Sequence, residues 1–252
     1  MQIILSSAKI INNKTSTSPE TIPKYQNEAN LIAMDMAQKK IEELAKLFQC
    51  NDKIASENWL RFQNFFVADK MPAILSYNGQ AYKHLKAKTF SKSEMLFAQQ
   101  HLWITSFLYG LLRPLDAIVP YRMEQNVSLD ITDNIPLKNY WRNILSDTLL
   151  KSVREDDGVI IHLTTQEYEH LFNWNIVKKE AQVIQPLFYT RIKGELKMQA
   201  VWAKTCRGAM TRYIIENKIK SIDDLKSFSY EGFIFNPDIG EQNYPHFIRE
   251  LK

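Results

Sequence analysis

Val183-Ile-Gln-Pro-Leu-Phe-Tyr-Thr-Arg-Ile192, Lys193-Gly194, Glu195-Leu-Lys-Met-Gln-Ala-Val201 and then Trp202-Ala-Lys-Thr-Cys-Arg-Gly-Ala-Met-Thr-Arg-Tyr-Ile-Ile-Glu-Asn-Lys218 is the stretch that decides the fold class. The first and third segments alternate well enough for two strands around a Lys-Gly turn. The fourth has helical spacing, with Trp202, Ala203, Cys206, Met210, Tyr213 and Ile214 on one face. Two strands followed directly by a long helix break the strict β-α-β alternation of a doubly wound sheet. The expectation is a mixed α/β, α+β protein.

The flanking sequence is read the same way. Gln2–Leu5 is a short apolar run, a buried strand closing in Ser6-Ser7-Ala8-Lys9. Lys14–Pro23 is a polar loop, and Asn27–Cys50 a helix with Ile41, Leu44, Ala45 and Phe48 at i, i+3, i+4, i+7. Asn58–Ala68 is aromatic and helical in part, and Pro72–Tyr77 reads as a strand ending at Asn78-Gly79. Ser91 and Glu94 form a capping box, with Phe90 and Met95 as its hydrophobic staple. That helix is expected to run to Tyr109, with Gly110 as its stop. A helix over Pro136–Val153, a turn at Asp156-Asp157-Gly158, a buried strand over Val159–Leu163 and a last strand within Phe228–Phe235 complete the reading. No linker divides residues 1–252, so one domain is expected.

The composition excludes several function classes. The seven glycines are never closer than eight positions, which rules out a G-x-G-x-x-G turn, a phosphate loop and a G-x-S-x-G elbow. Cys50 and Cys206 stand alone, and the five histidines lack H-E-x-x-H spacing, so neither a local metal site nor a cofactor is expected. Two cysteines and no signal-like start suggest the cytoplasm. The uncharged run Met95–Leu112 carries Gln99, Gln100 and His101 and reads as core, leaving no membrane partner. Nothing calls for an obligate protein partner. The net charge of +4 is too small to diagnose nucleic-acid binding by itself.

Charge placement says more. With Lys204 at zero on a helical wheel, Arg207, Thr211 and Lys218 fall within about 60° on one side, Gly208 about 40° and Arg212 about 80° on the other. A glycine inside a helix costs about 1 kcal/mol relative to alanine. It admits either a phosphodiester between Lys204 and Arg207 or another element packed on Gly208 under a solvated face. Cys206 lies on the apolar face and is expected to be an inert thiol.

A second segment, Leu108-Tyr-Gly-Leu-Leu-Arg-Pro-Leu-Asp-Ala-Ile-Val-Pro-Tyr-Arg-Met-Glu124, carries Arg113, Asp116, Tyr121, Arg122 and Glu124. A helix, a glycine-led turn and a short helical turn would make a hairpin that aims N–H groups at phosphate. The alternative is an ordered connector in which Arg113 pairs with Asp116, and Arg122 with Glu124. Lys9, at the end of the first strand, is either functional or merely solvated.

These blocks together resemble the YaaA family of bacterial peroxide-stress proteins. The resemblance is carried by Ser6-Ser-Ala-Lys9, Phe97-Ala-Gln-Gln-His-Leu102, Leu108-Tyr-Gly-Leu-Leu-Arg-Pro-Leu-Asp116, Pro120-Tyr-Arg122, Ala203-Lys204, Arg207-Gly208, Met210, Arg212 and Ile214-Ile-Glu-Asn217, in the family's order along nearly the whole chain. It implies a compact single domain around a positively charged cleft, binding of double-stranded DNA with a helix-hairpin-helix-like element, and protection from iron-dependent DNA damage under peroxide. By that likeness the DNA-binding residues are Lys9, Arg113, Arg122, Lys204, Arg207, Gly208 and Arg212. Three positions depart from the family pattern: Ser7 replaces a proline, Gln125-Asn126 replaces Met-Gly, and Cys206 replaces a small residue.

Three functions remain open on the sequence. The first is a DNA-binding stress protein without catalysis. The second is an enzyme acting on nucleic acid or a nucleotide-like anion, with Lys9, Tyr121, Glu124 and Lys204 as candidate catalytic groups. The third is an iron-handling protein, which would need His101, Asp116, Glu124 and His162 to converge.

Overall fold

The computed structural model describes residues 1–251. Their strands are β1 (Gln2–Ser6), β2 (Met71–Pro72), β3 (Leu102–Ser106), β4 (Gly110–Leu112), β5 (Ala117–Ile118), β6 (Val159–Leu163), β7 (Gln182–Ile184), β8 (Leu187–Ile192), β9 (Glu195–Lys197), β10 (Ser229–Tyr230), β11 (Phe233–Glu241) and β12 (Tyr244–Leu251). The helices are α1 (Gln26–Gln38), α2 (Ile41–Phe48), α3 (Asp52–Gln63), α4 (Ala73–Ser76), α5 (Gln80–Leu85), α6 (Lys92–His101), α7 (Leu137–Arg154), α8 (Gln166–Glu169), α9 (Trp174–Glu180), α10 (Ala200–Asn217) and α11 (Ile222–Leu225). This is an α+β fold.

Two five-stranded sheets organise it. The first has the order β4-β3-β1-β6-β7, parallel except for the antiparallel edge β4. Every residue of β1 and β3 is buried, as expected of continuous apolar runs covered on both faces. The second sheet, β10-β11-β12-β8-β9, is antiparallel except for β12 beside β8. Helix α10 touches α5, β1 and β8, so it lies between the two sheets. One buried cluster takes in Ile3 and Ile104 of the first sheet and Phe188 and Phe247 of the second.

Chain order within the first sheet locates a crevice. From β1 the chain moves to β3 on one side, then returns past β1 to β6 on the other. The connections therefore diverge at the carboxyl ends of β1 and β6, the place where open α/β sheets bind ligands.

Several elements depart from the sequence expectations. The helix expected over Asn27–Cys50 breaks at Lys39-Lys40, where ψ is 146° and 160°. Glu43 accepts the Lys40 backbone N–H at 2.7 Å, starting α2 afresh. Pro72–Tyr77 is mostly a helical turn, held because Ala73 and Ile74 donate to the carbonyls of Asp116 and Pro114.

The capping box at Ser91 and Glu94 forms, but α6 ends at His101 rather than Tyr109. Leu102-Trp-Ile-Thr-Ser106 is a strand because β1 offers it a parallel partner, Ile3 opposite Leu102. Gly110, at φ +68° against Trp141, Leu145 and Tyr25, opens β4 instead of stopping a helix. Hence Leu108–Glu124 is a β-hairpin edge followed by loop and the short β5. The expected helix-led hairpin is absent there.

Val183–Ile192 divides at Gln185-Pro186, so that β7 joins the first sheet and β8 the second. The aromatic tail is a hairpin, turning at Glu231-Gly232 with φ +50° and +80°, and β12 follows it.

Candidate functional site

A cleft of about 280 Å³ opens at the divergence of β1 and β6. Its walls include Leu5 to Ile10 at the end of β1 and beyond, Gly79 to Tyr82 at the start of α5, Leu163 at the end of β6, Thr165, Glu167 and Tyr168 after it, and Lys204 and Arg207 of α10. Polar side chains stitch the strand ends together. Thr165 N–H donates to Ser6 Oγ at 2.8 Å, and Tyr82 OH donates to the Ser6 carbonyl at 3.0 Å. Ser7 donates its hydroxyl to Tyr168 at 2.9 Å.

Lys9 stands on the rim. Its Nζ lies 2.6 Å from Glu124 Oε2 and 3.5 Å from Glu167 Oε1. Arg122 Nη2 is 2.7 Å from the other Glu124 oxygen, so one carboxylate lies between two cations. Arg122 Nε and Gln125 Oε1 are buried with no hydrogen-bond partner among the described residues. Beyond Lys9 a second hollow of about 300 Å³ runs over Leu47 to Gln49, Arg122 and Glu124 to Asn126. Tyr121 lies behind the rim, buried, sharing hydrogen bonds with Tyr77 at 2.8 Å and Ser106 at 2.6 Å. Burial pushes its pKa up, so it remains a neutral phenol.

On the opposite wall Lys204 is exposed and Arg207 half-buried. Among the described residues, the Arg207 guanidinium has no hydrogen-bonding or ion-pair partner within the protein. Burial lowers its pKa, with Glu169 partly opposing. Its charge also bears on His162, which is fully enclosed beside Trp174 and bonded to Thr164 Oγ1 at 2.9 Å. Burial first, and then Arg207, bring the His162 pKa down to about 3, so this histidine is neutral at physiological pH. Its Nδ1 is unpartnered among the described residues.

The structure therefore brings Lys9, Lys204 and Arg207 to one crevice and Arg122 and Glu124 to the adjoining hollow, with Lys9 shared between the two and Tyr121 just behind the rim. It places three other expected site residues elsewhere. Arg113 lies at the opposite, amino-terminal end of β1, its guanidinium 3.4 Å over the Trp103 ring and bonded to Gln2 and the Leu102 carbonyl. Burial lowers its pKa to about 10. The Asp116 carboxylate accepts the Arg113 backbone N–H, not the guanidinium.

Arg212 donates to the Leu85 and Lys86 carbonyls and to Thr89 and pairs with Glu216, closing the end of α5. At Gly208 a β-carbon would overlap the Ala81 carbonyl oxygen and fall 2.6 Å from its carbon. That glycine admits α5, not a phosphodiester. Gly208 and Thr211 are buried on what the wheel gave as a cationic face, because α10 is covered from both sides. Cys206 is buried and its thiol is pushed up to about 12.

The proposed iron ligands do not converge. His101 bonds Asp156, and Asp116 holds Thr21. Among the described residues no group of three or more His, Cys, Asp or Glu side chains could hold a metal ion. No helix of the described residues is long and apolar enough to cross a membrane.

Sequence reasoning missed Ser7, Tyr82, Thr165, Glu167 and Tyr168. Thr164-Thr165, directly after the apolar run Val159–Leu163, was the available signal, since parallel strands present groups at their carboxyl ends.

A family profile described as "Peroxide stress protein YaaA" matches residues 1–239. A UPF0246 protein of Phocaeicola vulgatus is 42% identical over 100% of this chain and 99% of its own. Another, from Bacteroides fragilis, is 41% identical over 96% of each chain. One from Agathobacter rectalis is 33% identical over the full length of both. With the profile and these full-length relatives in agreement, the chain belongs to the YaaA family of peroxide stress proteins.

Proposed function

We propose that this protein serves the peroxide response in the cytoplasm by holding the phosphate backbone of double-stranded DNA at the crevice, limiting iron-dependent damage to the bound strands. The observation that carries the reading is Arg207, a guanidinium facing the cleft beside Lys204 without a protein acceptor. A partly desolvated charge left unpaired is costly, and phosphate offers the bidentate partner its geometry suits. Of the residues expected to contact DNA, Lys9, Lys204 and Arg207 line the crevice and Arg122 the hollow beside it, which supports this reading. Such contacts give affinity that falls with salt and depends little on base sequence.

Fluorescence anisotropy of a labelled duplex across a salt series tests this. Wild type is expected to bind with a steep salt slope. A Lys204→Ala/Arg207→Ala double variant should lose most of the affinity and about two units of slope, near 0.9 per phosphate contact. Binding indifferent to salt, or unchanged in the double variant, would sink the reading.

A second reading is an enzyme acting on a nucleotide-like anion in the same cleft. It is favoured by the Lys9–Glu124 pair at the rim, a cation beside a carboxylate able to exchange a proton with a bound substrate. Unaltered DNA and nucleotides after prolonged incubation with the protein would count against it.

A further inference from the structure

A flat basic face would suffice to hold a duplex backbone. This protein instead has a recess, and its walls have two characters. Lys204 and Arg207 lie one helical turn apart on α10 and supply positive charge at one side. Lys9 and Glu167 pair with each other at the rim, and Ala8, Ile10, Ala81 and the rings of Tyr82 and Tyr168 line the rest above the buried Leu5 and Leu163, so the lining is chiefly apolar. Inorganic phosphate would leave that apolar wall wet. An apolar molecule alone would leave Arg207 without a partner. The occupant that satisfies both carries an anion at one end and an apolar, ring-sized body at the other. The volume, about 280 Å³, is at the small end of ligand pockets and allows one such unit.

We propose that this cleft is a subsite for a single nucleotide unit, its phosphate on Arg207 and Lys204 and its base against the apolar wall formed by Ala8, Ile10, Ala81, Tyr82 and Tyr168. The inference rests on the phosphate reading above and deepens it, since it names what enters the recess when a strand lies at the rim. The shared chemistry is that of a nucleoside monophosphate, either free or as one residue of a strand. The hydroxyls of Ser6, Ser7 and Thr165 at the cleft floor already bond to one another or to Tyr168, so shape and charge, rather than many polar contacts, would select the ligand. Base identity would then matter less than the presence of both base and phosphate.

Isothermal titration of the full chain with each of the four deoxynucleoside 5′-monophosphates, the matching nucleosides and inorganic phosphate tests the assignment. At least one monophosphate is expected to bind tenfold or more tightly than its nucleoside and than phosphate. Arg207→Gln and Lys204→Ala should each weaken it severalfold; Lys204 is exposed, so its loss does not threaten the fold. Ile10→Ser, at another exposed position, should weaken the monophosphate two- to fivefold and leave phosphate unchanged.

If all four monophosphates bind no better than phosphate while duplex DNA still binds through Lys204 and Arg207, the subsite is refuted and the DNA reading stands. If monophosphates bind and duplex does not, the subsite stands and the DNA partner is refuted. Competition between monophosphate and labelled strand separates the two sources: displacement means that a nucleotide of the strand uses the same recess. Monophosphate binding unaffected by Arg207→Gln would also overturn the proposal.

Discussion

Lys9 Nζ and Glu124 Oε2 lie 2.6 Å apart although 115 residues separate them in the chain. The pair closes the rim of the crevice, and its two members differ in exposure. The Lys9 side chain is 42% exposed and that of Glu124 13%. Replacing the lysine removes an exposed partner, whereas replacing the carboxylate takes the ion-pair partner from the half-buried Arg122 and leaves Lys9 with Glu167 alone. Lys9→Ala is therefore expected to cost no more than about 1 kcal/mol of stability, and Glu124→Gln about 1–3 kcal/mol. For a chain of this length the latter corresponds to a fall in Tm of roughly 3–10 °C. Thermal melts of the two variants check the order; equal losses would mean that the exposed pair is stronger than its setting implies.

Gly208→Ala separates the two roles weighed for that glycine. Helix propensity alone would favour alanine by about 1 kcal/mol. The Ala81 backbone stands where the methyl group would go, and overpacking costs about 1–3 kcal/mol. A net loss in Tm is expected. A gain in Tm accompanied by weaker DNA binding would restore the phosphate-approach role.

Arg113 and Arg207 should divide stability from binding. Arg113→Ala empties the stack on Trp103 and leaves the Leu102 carbonyl without its donor, so about 1–3 kcal/mol of stability is expected to go. DNA affinity should stay within twofold. Arg207→Ala should do the reverse in the anisotropy assay. A large affinity loss in Arg113→Ala at unchanged stability would return Arg113 to the interface.

His162 makes stability depend on pH in a definite direction. Its folded pKa, about 3, lies below its ordinary value of 6.5. Between these values the unfolded chain binds the proton and the folded chain does not, so stability is present above about pH 6.5 and is lost as pH falls toward 3. Urea midpoints at pH 7, 6 and 5 should decline more steeply for wild type than for His162→Gln. Parallel declines would show that the histidine is protonated in the fold.

Cys206 should be silent toward thiol reagents. The thiolate is the reactive form, and burial holds this thiol near 12. In a Cys50→Ser background, labelling by an aromatic disulfide is expected only after denaturation. Prompt labelling of the native protein would place Cys206 at an accessible surface.

What was legible in the sequence is what neighbouring residues determine among themselves. The capping box of Ser91 and Glu94, the helices over Leu137–Arg154 and Ala200–Asn217, the buried strands at Gln2 and Val159, and the turn at Lys193-Gly194 rest on contacts within a few positions. The family blocks are equally local, and the profile match agrees with them.

The break at Lys39-Lys40 is a local cap, but the larger errors came from distant neighbours. Met95–Leu112 is apolar without a clear period, and such a run becomes strand or helix according to what lies beside it. Here β1 lies beside Leu102, and the helix gives way. The site followed the same rule. Sequence by itself determined which cations the protein carries and that Lys9, Arg122, Lys204 and Arg207 were candidates. Only the tertiary structure decided that Arg113 stacks on Trp103, that Arg212 caps α5 and that Gly208 is spent on Ala81. A charged side chain goes to whatever acceptor or ring the fold brings within reach, and those partners come from positions that local sequence cannot see.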